Sequence, residues 1–323
     1  MATVAEAARA LAAGELVAFP TETVYGLGAD AMNPAAVAQI FRLKGRPESH
    51  PLIVHIADPL AIEPWARHVP ELARKLADRF WPGPLTMIVP KSARVPAAVT
   101  GGQETVGLRC PSHPLAQELL REFARVGSGG VAAPSANRFG HVSATTARHV
   151  RDEFGASLLV LDGGPCEVGL ESTIVDLSRG APVLLRPGAI TRRDIESVLG
   201  IAPTERDAAA PRASGTLAAH YAPVTPLALV NLRALEPELA KASDVAVLAM
   251  HARPPGASVV AWIAAPDDPL HYGHDLYANL RELDRKRAAQ ILVEAPPALP
   301  GWEAVNDRLK RAAAGAGAMD DET

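Results

Sequence analysis

Cysteine is nearly missing from this 323-residue chain: Cys110 and Cys166 are the only two. Two are too few for a disulfide framework, and their separation lacks the paired spacing of a zinc site, so no resident metal is expected. A reducing, cytoplasmic setting fits best. A long apolar run is missing too. The N-terminal stretch carries Glu6, Arg9 and Glu15 where an export signal needs continuous apolar residues, so no export signal is read. Between Arg212 and Arg233 charge is sparse, but Ser214, His220, Asn231 and two prolines speak against a membrane span. Nor is there an excess of positive charge, since 32 Lys and Arg against 36 Asp and Glu leave a net charge of -4. A protein that relies on neutralising many phosphates usually carries a net basic face, so strong nucleic-acid binding is not expected. No Gly-Lys dipeptide occurs, hence no P-loop, and there is neither a His-Glu-x-x-His helix nor a Gly-x-Ser-x-Gly elbow.

What is present is globular: 48% hydrophobic and 21% charged residues, in a chain long enough for two domains. Thr3 and Glu6 form a capping box for a short helix ended by Gly14, and residues 16–19 read as a buried strand. Asn33 and Pro34 start a helix over 35–43, followed by the strand PLIVHI. Further strands are expected at 85–89, 105–108, 131–133, 158–161, 173–177 and 183–185, with helices near 114–125, 145–154 and 191–199. Residues 1–202 thus form one α/β domain. From 203 to 225 the composition shifts to Ala, Pro, Ser, Thr and Gly, as in an interdomain linker. Residues 226–316 alternate strands (227–230, 245–250, 259–264, 291–294) with helices (234–242, 274–289, 302–314), implying a small, mostly parallel sheet. The acidic end, 317–323, is expected to fray.

The polar residues that carry chemistry stand at strand ends and in glycine- or proline-rich turns, where open α/β sheets hold ligands. PTETVYGLG at 20–28 offers hydroxyls and free backbone groups, although the same composition also makes an ordinary turn. In KGRP an extended junction would send Lys44 and Arg46 to one side, two cations that repel unless an anion joins them; a solvated helix end is the other reading. PSAN adds the Ser135 hydroxyl and the Asn137 amide. Arg109 and Arg186 each end a strand next to or near proline, suited to bidentate binding of carboxylate or phosphate, or to a structural ion pair. His55 sits in an apolar strand, where a hydrogen-bonded core histidine is the default. Gly26, Gly28 and Ala31 match a dinucleotide fingerprint but follow their strand too late for its tight turn. His271 and His274 are three apart without a third ligand, and read as a solvated loop pair.

Taken together, PTETVYGLG, KGRP with PLIVHI, FWPGPLT, VGLRCP, PSAN, ESTIVD, LRPG and a late HYAP resemble the YrdC-type L-threonylcarbamoyladenylate synthases in their long two-domain form. The resemblance covers about 200 residues, and is less specific beyond them. It implies a YrdC-like twisted open sheet domain, a linker acting as a lid, and a smaller Rossmann-like α/β domain. It also implies an enzyme that joins L-threonine, bicarbonate or CO2, and ATP carried with Mg2+ into threonylcarbamoyl-AMP and pyrophosphate. The product would serve a separate transferase complex that makes N6-threonylcarbamoyladenosine beside the anticodon of tRNA. By the same resemblance Lys44, Arg46, Ser135 and Asn137 are the catalytic tetrad. L-Threonine would meet Thr21, His55, Arg109, Ala133 and Ser172. ATP would meet Lys44, Glu48, Thr105, Ser135, Ser143, Arg186 and, from the lid, Tyr221. The segment before HYAP reads ASGTLAA and lacks the basic residues that some members place there. The competing readings are another carbamoyl-adenylate transferase and an RNA-binding module.

Overall fold

The computed structural model describes residues 2–241 and 244–316, so the acidic end and residue 242 of the predicted helix lie outside the described residues. The chain divides into two compact units, Met1–Phe139 with Ala144–Thr216, and Gly140–Ser143 with Leu217–Thr323.

The first unit runs α1 (Val4–Ala12), β1 (Val17–Phe19), β2 (Gly26–Asp30), α2 (Pro34–Lys44), β3 (Ile53–His55), α3 (Glu71–Phe80), β4 (Leu85–Pro90), α4 (Ala97–Thr100) and β5 (Thr105–Arg109). It continues with α5 (Pro114–Val126), β6 (Val131–Ala132), α6 (Ala147–Phe154), β7 (Leu159–Val160), β8 (Thr173–Asp176), β9 (Val183–Arg186), α7 (Arg192–Leu199) and β10 (Thr204–Glu205). Its strands form one mixed sheet in the order β10-β9-β8-β4-β5-β3-β6-β2-β1-β7. Local chemistry starts the helices as the sequence predicts. Thr3 and Glu6 close the capping box of α1. Asn33 caps α2 with Pro34 in its first turn, and left-handed Gly45 (φ 65°) ends it. On α1 the small or apolar residues Ala7, Ala8 and Leu11 share a core cluster with Leu119, Leu120 and Phe123 of α5. Burying one such leucine contributes about 1.5–3 kcal/mol.

Four elements escape the periodicity reading: β2, α3, α4 and β10. Strand β2 is hidden by its glycines, which look like a turn. A Cβ at Gly28 would stand 2.7 Å from Val131 Cγ1 and 2.9 Å from Phe19 Cε1, so the strand can pack there only without a side chain. Gly26 and Gly28 therefore serve close strand packing and not a dinucleotide turn. Helix α3 buries Ala73, Leu76 and Ala77, a face at i, i+3 and i+4. The composition-shifted stretch is divided: residues 203–216 lie with the first unit, where β10 pairs in parallel with β9, and 217–225 lie with the second.

The second unit contains β11 (Leu227–Val230), α8 (Leu232–Lys241), β12 (Val245–Ala249), β13 (Ala261–Ala264), α9 (Pro269–Asp284), β14 (Gln290–Glu294) and α10 (Glu303–Gly315). Its sheet, β11-β14-β12-β13, is parallel throughout, with Leu235, Val245, Val247, Ala249 and Leu292 at its core. This is the small α/β sheet the sequence implies. One helix is displaced: α9 starts five residues before the predicted 274, because Asp268 caps it through the amides of Leu270 and His271 and Pro269 takes its first turn. His271 and His274 consequently ride on a helix and not in a loop, bonded to Asp268 and Asp275. Among the described residues no helix is long and apolar enough to cross a membrane.

Candidate active site

The strands of the first unit set side chains in rows across one face of its sheet. His55 at the end of β3 is in register with Arg109 at the end of β5, and Arg109 with Thr86 on β4. Two residues back, the next row brings Ile53 opposite Gly107 and Gly107 opposite Ile88. Period-two alternation puts both rows on the same side. A cleft opens over this face, floored by Ile53, Thr86, Ile88, Thr105, Gly107 and Ile174 and walled by Thr100, Gln103 and residues 212–214.

Arg109 is buried and faces Glu22 at 2.7 Å, while the other Glu22 oxygen accepts from the amide of Ser112 at 3.1 Å. Glu22 stands in PTETVYGLG and was not singled out from the sequence; the one available signal was a lone charge in an otherwise neutral loop beside a buried strand. Thr21 is occupied locally, donating to the Val24 carbonyl at 2.7 Å and accepting from the amides of Thr23 and Val24. The imidazole of His55 packs edge-on against Phe19. Burial, and next the Arg109 charge, push its pKa down to about 3, so the ring is neutral at physiological pH. Ala133 donates its amide to Ile53 and is buried. Ser172 shares a 2.7 Å hydroxyl contact with Thr86.

Lys44 and Arg46 come together for a different reason from the one the sequence suggested. The junction is not extended: Lys44 is the last residue of α2, and the left-handed turn at Gly45 redirects the chain to Arg46. The Lys44 ammonium donates to the carbonyl of Ser135 at 2.6 Å and to that of Asn137. These carbonyls accept its protons without neutralising its charge. Burial, helped by Arg46, holds its pKa well below the ordinary lysine range. Arg46 donates to the Pro51 carbonyl at 2.9 Å and the Ser214 hydroxyl at 3.1 Å, and lies over the ring of Phe139. Arg186 donates to the carbonyl of Ser172 through Nε and Nη2, and to that of Ser214 at 3.0 Å. Lys44, Arg46, Arg109 and Arg186 are thus four buried cations in one unit, three of them anchored on neutral oxygens. Such an arrangement is suited to receiving several anionic groups at once.

Of the other residues expected at the site, Thr105 lines the cleft and Glu48 is exposed in the turn after Arg46. Ser143 and Tyr221 belong to the second unit. There the Ser143 carbonyl accepts from Arg281 at 3.2 Å, and the buried Tyr221 ring stacks on Tyr277 under the guanidinium of Arg308. Burial raises the Cys110 and Cys166 thiols to about 11 and about 12, which leaves them protonated and inert. Among the described residues no group of three His, Cys, Asp or Glu side chains could hold a metal ion.

Residues 9–188 match the Sua5/YciO/YrdC family model, described as "Telomere recombination". The chain belongs to the Sua5/YciO/YrdC family. Residues 190–314 match the model "Threonylcarbamoyl-AMP synthase, C-terminal domain". Threonylcarbamoyl-AMP synthase of Pyrococcus abyssi is 40% identical over 93% of this chain and 90% of its own length. Threonylcarbamoyl-AMP synthase of Bacillus subtilis is 46% identical over 70% of this chain and 66% of its own length. The crystal structure of the P. abyssi protein complexed with L-threonine superposes with a TM-score of 0.88 at 38% identity, covering 96% of this chain and 94% of that one. The YrdC-like unit followed by a parallel-sheet C-terminal unit is accordingly the architecture of a two-domain family member.

Proposed function

We propose that the first unit joins L-threonine, bicarbonate or carbon dioxide, and the magnesium complex of ATP into threonylcarbamoyl-AMP, with release of pyrophosphate. The observation that carries this reading is the set of four buried cations in the unit that bears the cleft, a charge pattern matched to a carboxylate, a carbamate and a triphosphate. The relatives named for this product, one of them crystallised with L-threonine, support it.

The chemistry needs positioning more than a covalent nucleophile. The threonine amine adds carbon dioxide and loses a proton, giving a carbamate. One carbamate oxygen then attacks the α-phosphorus, and the bond from that phosphorus to the bridging oxygen breaks as pyrophosphate leaves. Arg109 clamps the threonine carboxylate, with His55, Thr21, Ser172 and the Ala133 backbone around it. Lys44, Arg46, Ser135 and Asn137 gather the carbamate and the α-phosphate, with Lys44 and Ser135 also on the nucleotide. Thr105, Arg186 and Glu48 complete the nucleotide set of the first unit. Magnesium enters with ATP as part of the substrate. The product passes to a separate threonylcarbamoyl transferase acting on tRNA in the cytoplasm.

The test is pyrophosphate release from ATP and magnesium, omitting L-threonine and bicarbonate in turn and replacing threonine by L-serine. Release that needs every component and prefers threonine is expected. Release without threonine, or none at all, overturns the reading, and salt-steep RNA affinity independent of both substrates would replace it with RNA binding.

A further inference from the structure

Ser214 lies in the stretch whose lack of basic residues leaves it with no charge of its own to offer a nucleotide. Its backbone and hydroxyl nonetheless join two of the four buried cations. The hydroxyl accepts from Arg46 at 3.1 Å and donates to the Pro51 carbonyl at 3.1 Å, while Arg46 itself donates to that same carbonyl at 2.9 Å. The Ser214 carbonyl accepts from Arg186 at 3.0 Å. One residue therefore holds a guanidinium from the turn after α2 and another from the end of β9 at a fixed spacing.

The strap that carries Ser214 is tied down two residues earlier. The Gln103 carboxamide pairs with the Arg212 peptide in both directions, accepting from its amide at 2.7 Å and donating to its carbonyl at 3.1 Å. The Arg212 guanidinium donates to the Gly101 carbonyl at 2.8 Å. The anchoring turn is itself rigidly placed: Gly101 has φ +58°, and a Cβ there would lie 2.2 Å from the Ser49 carbonyl oxygen. A two-way amide clip on such a turn seats residues 212–214 as a wall of the cleft.

We infer that Ser214 is a positioning residue for the nucleotide step, spacing Arg46 and Arg186 to receive phosphate oxygens, and that Gln103 is the latch that holds it there. This rests on the activity proposed above. A shared neutral acceptor holds the two guanidinium groups at a set spacing without itself adding charge between them. The hydroxyl acts through the arginines and not on the substrate.

The experiment uses the full chain with Ser214→Ala, Ser214→Thr and Gln103→Ala. Ser214→Ala and Gln103→Ala are expected to raise the KM for ATP about tenfold, equivalent to about 1.4 kcal/mol, with kcat and the KM for threonine changed less than about threefold. Ser214→Thr, which keeps the hydroxyl, restores the KM. Independently of turnover, Gln103→Ala should speed tryptic cleavage of the Arg212–Ala213 bond about tenfold, with the cut site identified by mass spectrometry. An unchanged KM for ATP in both alanine variants, or a fall in kcat alone, overturns the role of Ser214; unchanged cleavage overturns the latch. If the unsubstituted protein releases no pyrophosphate, the activity reading falls while the cleavage comparison still decides the latch.

Discussion

Arg109 and Glu22 form an ion pair with side chains only 5% and 3% exposed. Removing one member of a buried pair strands the other charge, at about 3–5 kcal/mol. Arg109→Ala is expected to raise the threonine requirement at least about a hundredfold while leaving ATP affinity within about threefold, as separate calorimetric titrations of the two substrates would record. Equal losses for both would take Arg109 out of the amino-acid site. His55, beside it in register, sets a pH dependence. Its folded pKa of about 3 lies below the unfolded value of about 6.5, so between those limits the unfolded chain takes up a proton that the folded chain refuses. The stability this residue protects is complete above about pH 6.5 and is lost as pH falls toward 3, with a slope of up to about 1.4 kcal/mol per pH unit. Urea unfolding at pH 7, 5 and 4 should show a shallower fall for His55→Gln than for the unsubstituted protein.

Elements convert these residues into a site, and they differ in how readily the sequence betrays them. Capped, amphipathic helices such as α1 and α2 were legible because their signals are local: a hydroxyl or amide cap, a first-turn proline, a terminating glycine. Strand β2 was not, since its glycines answer to Phe19 and Val131, neighbours that exist only after folding. The turn at Gly188 in LRPG is a similar case. A Cβ there would meet the Thr173 amide nitrogen at 2.5 Å and the Glu171 carbonyl oxygen at 2.8 Å, both backbone atoms that cannot swing aside. Gly188→Ala should therefore push the end of β9 away from the start of β8, destabilise the unit by about 2 kcal/mol or more, and weaken ATP binding through Ser172 and Arg186. A melting temperature and ATP affinity both within error of the unsubstituted protein would count against that account.

For the molecule as a whole, the second unit is discontinuous in sequence. Residues 140–143 belong to it, and there the Gly140 carbonyl accepts from the Ala222 amide at 2.8 Å while the carbonyls of Val142 and Ser143 accept from Arg281. A fragment of residues 217–323 would leave those donors without acceptors. It is expected to unfold at a lower urea concentration than the same unit in the full chain, followed through Trp262 and Trp302 with Trp65 and Trp81 changed to Phe; coincident midpoints would show residues 140–143 to be dispensable. The sequence by itself determined the α/β class, the helix caps, the parallel sheet of the second unit and the family, because these rest on neighbours a few residues apart or on motifs in a set order. Only the tertiary structure decided that Glu22 meets Arg109, that Lys44 rests on the carbonyls of PSAN, and that Ser214 joins Arg46 to Arg186. Those pairings span 87 positions for Glu22 and Arg109, up to 93 for Lys44, and up to 168 for Ser214. Burial makes them strong, and burial is a property of the folded chain that no local pattern encodes.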